Sequence, residues 1–169
     1  MKVKYSDLKN KRIFITGGGS GIGASIVEHF CEQGSEVHFV DIDLKETKKL
    51  LNKIKKNKFR TPTFIECNLL DIYKLEKTIK NIIAKKGPIH ALINNAANDD
   101  RHTTDQVDEK YWENRMAINL KHYFFAAKAV VKSMKKMKAG SIVNLSSVSW
   151  MLGEGDKVVY ETAKSAVVG

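Results

Sequence analysis

The sequence has little from which to build a metal centre or a disulfide framework. Its two cysteines, Cys31 and Cys67, form no CxxC pair and lie in apolar or mixed stretches, which suits reduced thiols. His29, His38, His90, His102 and His122 are scattered without metal-ligand spacing, so no metal is expected. No apolar run of signal-peptide or membrane-spanning length stands before the first β-rich stretch, and a cytoplasmic location with no membrane partner is the default. Arginine is scarce: Arg12, Arg60, Arg101 and Arg115 are the only ones in a chain of net charge +10. The basic excess is lysine at helical spacing, as in Lys45, Lys48, Lys49, Lys53 and Lys56, without interleaved aromatics or a recognition motif. That pattern is a solvated surface, and nucleic acid is not an expected partner.

What is present fits one α/β domain. The 169 residues are 43% hydrophobic with a mean hydropathy of -0.32, enough for a single core. The run RIFIT (12–16) is a β-rich stretch followed at once by Gly17-Gly18-Gly19-Ser20-Gly21-Ile22-Gly23 and a helical pattern closed by Gly34. Strand, glycine turn and helix together make a phosphate site, because glycines admit close backbone approach and the helix N-terminus offers free N–H groups. EVHFV (36–40) then ends in Asp41, where a carboxylate can accept hydrogen bonds from ribose hydroxyls and repel a 2′-phosphate. NAD is therefore favoured over NADP, and no basic residue inside the glycine turn argues otherwise. Asp41 and Asp43 are equal candidates to cap the next helix.

The alternation continues with a lysine-rich helix from 44 to 57, a strand over 62–66, a helix over 71–85 and a strand in IHALINN. Strands alternating with helices of this length predict a parallel sheet with right-handed crossovers. Thr16-Gly17, Asp41, Asn68-Leu69, Asn94-Asn95 and Ser147 all fall at the carboxyl ends of strands, where ligands of such sheets bind. A long helix is expected over 106–138, ended by Gly140, with Asn119 in its apolar stripe. That asparagine needs partners: neighbouring backbone, or a water that relays protons. SIVNL forms the fifth strand and delivers Ser146 and Ser147 at its tip.

Tyr160 and Lys164 stand four positions apart, on one helical face, thirteen residues after Ser147. Lowering a phenol from about 10 to about 7 requires roughly 4 kcal/mol. One ammonium about 4 Å away at an effective dielectric near 20 supplies about that much, so Lys164 can make a base of Tyr160.

From about residue 10 onward the chain resembles the short-chain dehydrogenase/reductase family. TGGGSGIG matches its cofactor turn, Asn94-Asn95-Ala96-Ala97 its NNAG motif, Asn119 its helical asparagine, and Ser147, Tyr160 and Lys164 its catalytic residues. The family spacing selects Ser147 over Ser146 and Ser149. Two departures stand out: Asn68 replaces the usual aspartate beside the adenine, and Ala97 the usual glycine. NNAANDDRH, SSVSWMLG and YETAK are similar to a narrower branch, the bacterial aldose 1-dehydrogenases of the D-galactose, L-arabinose and D-xylose type.

The resemblance implies a Rossmann-type doubly wound parallel sheet, with five of the usual seven strands present in a single domain, 1–169, incomplete at its C-terminus. It implies NAD held by Gly17, Ser20, Gly21, Ile22, Gly23, Asp41, Asn68, Leu69, Asn95, Ala96, Tyr160 and Lys164. It also implies hydride exchange with an alcohol or carbonyl, Tyr160 taking the hydroxyl proton, Ser147 holding the substrate oxygen, Lys164 lowering the tyrosine pKa and Asn119 placing a relay water. For a sugar, the anomeric carbon is oxidised to a lactone, with Asn98, Trp150 and Glu154 near the pyranose or simply packing a loop. The alternatives are reduction of another carbonyl, such as a 3-oxoacyl thioester, and an inactive dinucleotide-binding fragment. A homodimer or homotetramer follows from the family. A fragment ending inside the Tyr160 helix should also leave one sheet edge and an apolar helix face exposed.

Overall fold

A computed structural model describes residues 3–169. Strands β1 (Arg12–Thr16), β2 (Glu36–Asp41), β3 (Thr63–Glu66), β4 (Ala91–Asn94) and β5 (Ser141–Asn144) form one sheet in the order β3-β2-β1-β4-β5, with every pairing parallel. Helices α1 (Gly21–Glu32), α2 (Leu44–Lys56), α3 (Ile72–Lys86), α4 (Glu109–Met116), α5 (His122–Met137), α6 (Ser149–Leu152) and α7 (Val158–Ala166) connect and follow them. The strand order reverses between β1 and β4, so the sheet is parallel as the alternation predicts and doubly wound as the resemblance implies.

Alternating residues of β1 divide the core in two. Ile13 and Ile15 pack with Val27, Val37, Phe39, Leu50 and Ile54 under α1 and α2, whereas Phe14 packs with Val40, Leu75, Ile79, Leu92, Ala126 and Val130 under α3 and α5. The lysines of α2 lie on the face away from its buried Thr47, Leu50 and Ile54, as their spacing requires. Asp43, not Asp41, caps α2: its carboxylate accepts from the Glu46 N–H at 2.9 Å.

Two local features differ from expectation. The helix over 106–138 is interrupted by a π turn at Ala117–Lys121, which widens the spiral where Asn119 is buried. Its C-terminal left-handed residue is Lys138 (φ 55°), not Gly140, whose own space is closed by the Met134 side chain. β5 lies at one end of the sheet with all four residues exposed, and on α5 Phe124 is 67% and Val131 39% exposed. Among the described residues no helix is long and apolar enough to cross a membrane.

Candidate functional site

A groove of about 480 Å³ opens at the reversal of strand order, lined by the glycine turn, the tips of β2 and β4 and the loops after β3 and β4. It gathers Gly17, Ser20, Gly21, Ile22, Gly23, Asp41, Asn68, Leu69, Asn95, Ala96 and Asn98. The turn is folded so tightly that a methyl at Gly23 would sit 1.8 Å from the Gly17 carbonyl oxygen. Gly17 itself is left-handed (φ 66°) and lies against Ala96. Ser20 offers no side-chain cap to α1, so the first N–H groups of that helix remain available to an anion.

Asp41 stands where β2 ends. One carboxylate oxygen accepts from the Gly19 N–H at 2.7 Å, the other from the Ile42 and Asp43 N–H groups at 2.7 and 2.9 Å. The second strand and the glycine turn are thus locked together, with a negative charge left at the groove wall. Asn68 takes the Leu70 N–H on its Oδ1 at 3.0 Å. Asn95 Nδ2 donates to the Thr16 and Gly17 carbonyls at 3.1 and 2.8 Å, so its amide shapes the turn. Ala97 is exposed and its φ is not positive, so a methyl fits where the resemblance leads one to expect glycine.

Ser147, Tyr160 and Lys164 lie outside the groove lining and are joined to it through Tyr123. Lys164 Nζ is buried and donates to the Tyr123 hydroxyl at 2.8 Å and to the Leu145 carbonyl at 2.7 Å. The Tyr123 hydroxyl in turn lies 3.0 Å from the Leu145 oxygen and 3.4 Å from that of Ala96, a groove residue. Burial lowers Lys164 to about 8 and pushes the Tyr123 phenol up, so the phenol stays protonated beside a still largely charged ammonium at neutral pH. The ammonium is 5.7 Å from the centre of the Tyr160 ring. Ser147 Oγ accepts from the Ser149 N–H at 3.2 Å and pairs with its hydroxyl at 2.9 Å. Ser146 is spent on the Lys164 carbonyl at 2.6 Å. Ser149 is buried and Ser147 half-buried, which leaves Ser147 the more accessible of these two hydroxyls.

Asn119 is wholly buried, and both ends of its amide clamp the backbone of Asn98: Oδ1 accepts from its N–H at 2.8 Å and Nδ2 donates to its carbonyl at 2.9 Å. Of its two anticipated uses, its side chain makes the backbone one. Asn98 Oδ1 is itself taken by the Asp100 N–H at 2.9 Å. Trp150 is half-buried on α6, and exposed Glu154 is ion-paired with Lys157.

Tyr123 and His122 carry no motif, and Thr16, though it opens TGGGSGIG, acts through bonds the motif does not reveal. Tyr123 is four positions beyond Asn119 on the same helical face, a spacing with no meaning until the fold brings Lys164 against it. Thr16 Oγ1 accepts from the Asn95 and Ala96 N–H groups at 3.1 and 3.2 Å and lies 3.4 Å from His122 Nε2. With both lone pairs taken, its proton points to Nε2, which assigns the imidazole proton to the buried Nδ1. Burial drives His122 down to about 3, so the ring is neutral. Cys31 and Cys67 are free, buried thiols, Cys67 in the groove lining; burial raises both, Cys31 to about 12.

The chain is 41% identical over 165 residues to a D-xylose 1-dehydrogenase of Caulobacter vibrioides, covering 98% of this chain and 64% of that protein. It is 37% identical over 166 residues to a protein of Rhizobium meliloti named as a probable galactose dehydrogenase, covering 98% of this chain and 65% of its relative. It thus spans slightly less than two thirds of the length of these relatives. Among solved structures, the aldohexose dehydrogenase of Thermoplasma acidophilum superposes with a TM-score of 0.84 at 30% identity, covering 98% of this chain and 60% of that one. A metagenomic short-chain oxidoreductase in complex with NADP shares the fold, with a TM-score of 0.90 at 23% identity over 97% of this chain and 74% of its own. A profile of the short chain dehydrogenase family matches residues 11–169, and the chain belongs to that family.

Proposed function

We infer that the protein is an NAD-dependent dehydrogenase that oxidises a sugar at its anomeric carbon to a lactone. The observation that carries this reading is 41% identity to a D-xylose 1-dehydrogenase across 98% of the chain. The glycine turn and the α1 N-terminus would hold the pyrophosphate, Asp41 the adenosine ribose, Asn68 and Leu69 the adenine, and Asn95 and Ala96 the inner wall. A turn too tight at Gly23 for any Cβ, beside free helix N–H groups, fits such a group. Bound there, the cofactor supplies a hydride acceptor at its nicotinamide.

The chain's own residues supply the rest. Tyr160 as phenolate takes the proton of the sugar hydroxyl while Ser147 donates a hydrogen bond to the reacting oxygen. Lys164, desolvated and charged, favours that phenolate and meets the cofactor ribose together with Tyr160. Asn119, by holding Asn98, fixes the loop that closes the groove. Asn98, Trp150 and Glu154 are the sugar-facing candidates. The reading places the enzyme in the cytoplasm as a homodimer or homotetramer.

Initial rates of NAD reduction with D-galactose, L-arabinose and D-xylose, set against NADPH oxidation with an acetoacetyl thioester, test it. Turnover of at least one aldose with NAD is expected. Turnover of the thioester alone overturns the sugar reading, and the absence of saturable NADH binding overturns the enzyme reading altogether.

A further inference from the structure

The helix that carries Tyr160 and Lys164 begins without a cap of its own. Lys157, at its N-cap position, makes no capping bond, and its side chain turns to Glu154. The residue before it, Asp156, is left-handed (φ 63°), so the entry to α7 is strained. Val159 is completely buried, and its N–H, one of the first-turn donors that no helix can satisfy internally, is beyond reach of water.

His102, 57 residues before Val159 in sequence, meets both needs. Its ring Nε2 accepts from the Val159 N–H at 3.4 Å, and its backbone N–H donates to the Asp156 carbonyl at 2.8 Å. To accept there, Nε2 must be unprotonated, and the other ring nitrogen is arranged accordingly. Nδ1 lies 2.9 Å from the Tyr111 hydroxyl and 3.1 Å from the Asp100 carbonyl, which holds the proton on that side. Tyr111 is sandwiched in turn: the Arg115 guanidinium sits 4.7 Å above its ring and pairs with the Asp100 carboxylate at 2.6 Å. His102 itself is 5% exposed, so the ring that caps α7 is built into the protein rather than displayed on it.

The geometry points to His102 as the positioning residue of the Tyr160 helix: a remote histidine cap, oriented by Tyr111, that holds α7 in the register at which Tyr160 and Lys164 operate. The loop bearing it begins at Asn98, which Asn119 clamps, so one short segment ties the groove wall to the start of α7. The kinetic arm of its test rests on the reading of Tyr160 as the proton acceptor; the structural arm does not.

Three variants of the protein decide it: His102→Phe fills the space without an acceptor, His102→Gln restores an acceptor near the Nε2 position, and Tyr111→Phe frees Nδ1. Amide exchange at Val159 and Tyr160, followed by NMR, should accelerate roughly tenfold or more in His102→Phe and return to within about threefold of wild type in His102→Gln. Turnover number should fall in His102→Phe and recover in His102→Gln, in parallel with the exchange rates. Tyr111→Phe should accelerate the same two amides to a smaller degree, and supplies the result if His102→Phe does not fold. Unchanged Val159 exchange in His102→Phe, or in Tyr111→Phe where that is the only folded variant, overturns the cap. Faster exchange with undiminished turnover, or turnover that His102→Gln fails to restore, overturns the positioning role. If wild type oxidises no sugar, the proposed function falls while the exchange data still decide the cap.

Discussion

The Tyr123 hydroxyl accepts a hydrogen bond from Lys164 at 2.8 Å, placing a buried, protonated phenol against the ammonium that lies 5.7 Å from the centre of the Tyr160 ring. Among the described residues Lys164 has one other acceptor, the Leu145 carbonyl, so Tyr123 is half of what compensates its charge for lost water. Replacing Tyr123 with Phe should lower Lys164 further below its value of about 8, because the charged form loses an acceptor while burial is unchanged. A titration followed by the lysine Cε shift reads this directly. A Lys164 pKa that stays put or rises would show that Tyr123 does not hold it.

Asn119→Ala should cost about 1–2 kcal/mol of stability, because it strips both the N–H and the carbonyl of half-buried Asn98 of their partners. Asn119→Asp keeps the acceptor but sets a carboxylate oxygen against the Asn98 carbonyl, so it should do no better. Denaturant midpoints of the two variants provide the check, and an Asp variant as stable as wild type contradicts the clamp.

The glycine turn offers a controlled comparison. A methyl at Gly23 meets the Gly17 oxygen at 1.8 Å and Asn95 Nδ2 at 2.6 Å, whereas one at Gly21 meets nothing within 4 Å and bears only the strain of φ 53°. Gly21→Ala should therefore cost about 1 kcal/mol and Gly23→Ala about 3 kcal/mol or more. NADH affinity should fall with Gly23→Ala in any fraction that folds.

Asp41→Ser should move cofactor preference. Removing the carboxylate removes its repulsion of a 2′-phosphate and its grip on the Gly19 N–H, so the NADH to NADPH affinity ratio should drop about tenfold. Isothermal titration with each reduced cofactor measures it. A ratio unaltered by the substitution removes Asp41 from the selection.

Acid should destabilise the protein through His122. Its imidazole binds a proton near pH 6.5 when unfolded but only at about 3 when folded. As pH falls from 6.5 the unfolded state gains the proton first, and stability drops until the folded ring also titrates. Two pH units below 6.5, at about pH 4.5, the loss from this group alone is roughly 3 kcal/mol. Buried His38, also lowered by desolvation, acts in the same direction, while Glu36, lowered chiefly by its hydrogen bond with Arg12, adds its loss at still lower pH. His122→Gln should flatten the stability curve between pH 6.5 and 4.5 by about that 3 kcal/mol in chemical denaturation.

Much of this was legible in the order of residues. Ile13 and Ile15 alternating with Phe14, the glycines of residues 17–23, and the capping aspartates at 43 and 71 act through neighbours a few positions away, and they fix strands, turns and helix starts. The cofactor groove was legible for the same reason: its walls are the turns that follow consecutive strands. The YxxxK spacing placed Tyr160 and Lys164 on one short helix, α7, as any four-residue interval within a helix does.

What tertiary structure decided lies in bonds between distant positions. Lys164 meets Tyr123 from 41 residues away, Val159 meets His102 from 57, and His122 meets Thr16 from 106. No periodicity or turn preference reaches that far; these partners are chosen by how α4, the π turn, α5 and α7 pack across the carboxyl end of the sheet. The sequence by itself determined which polar groups stand at the carboxyl ends of the strands and which share one face of α7. Packing decided which buried donors and acceptors they must satisfy, because away from water each one costs more unpaired than any local preference can return.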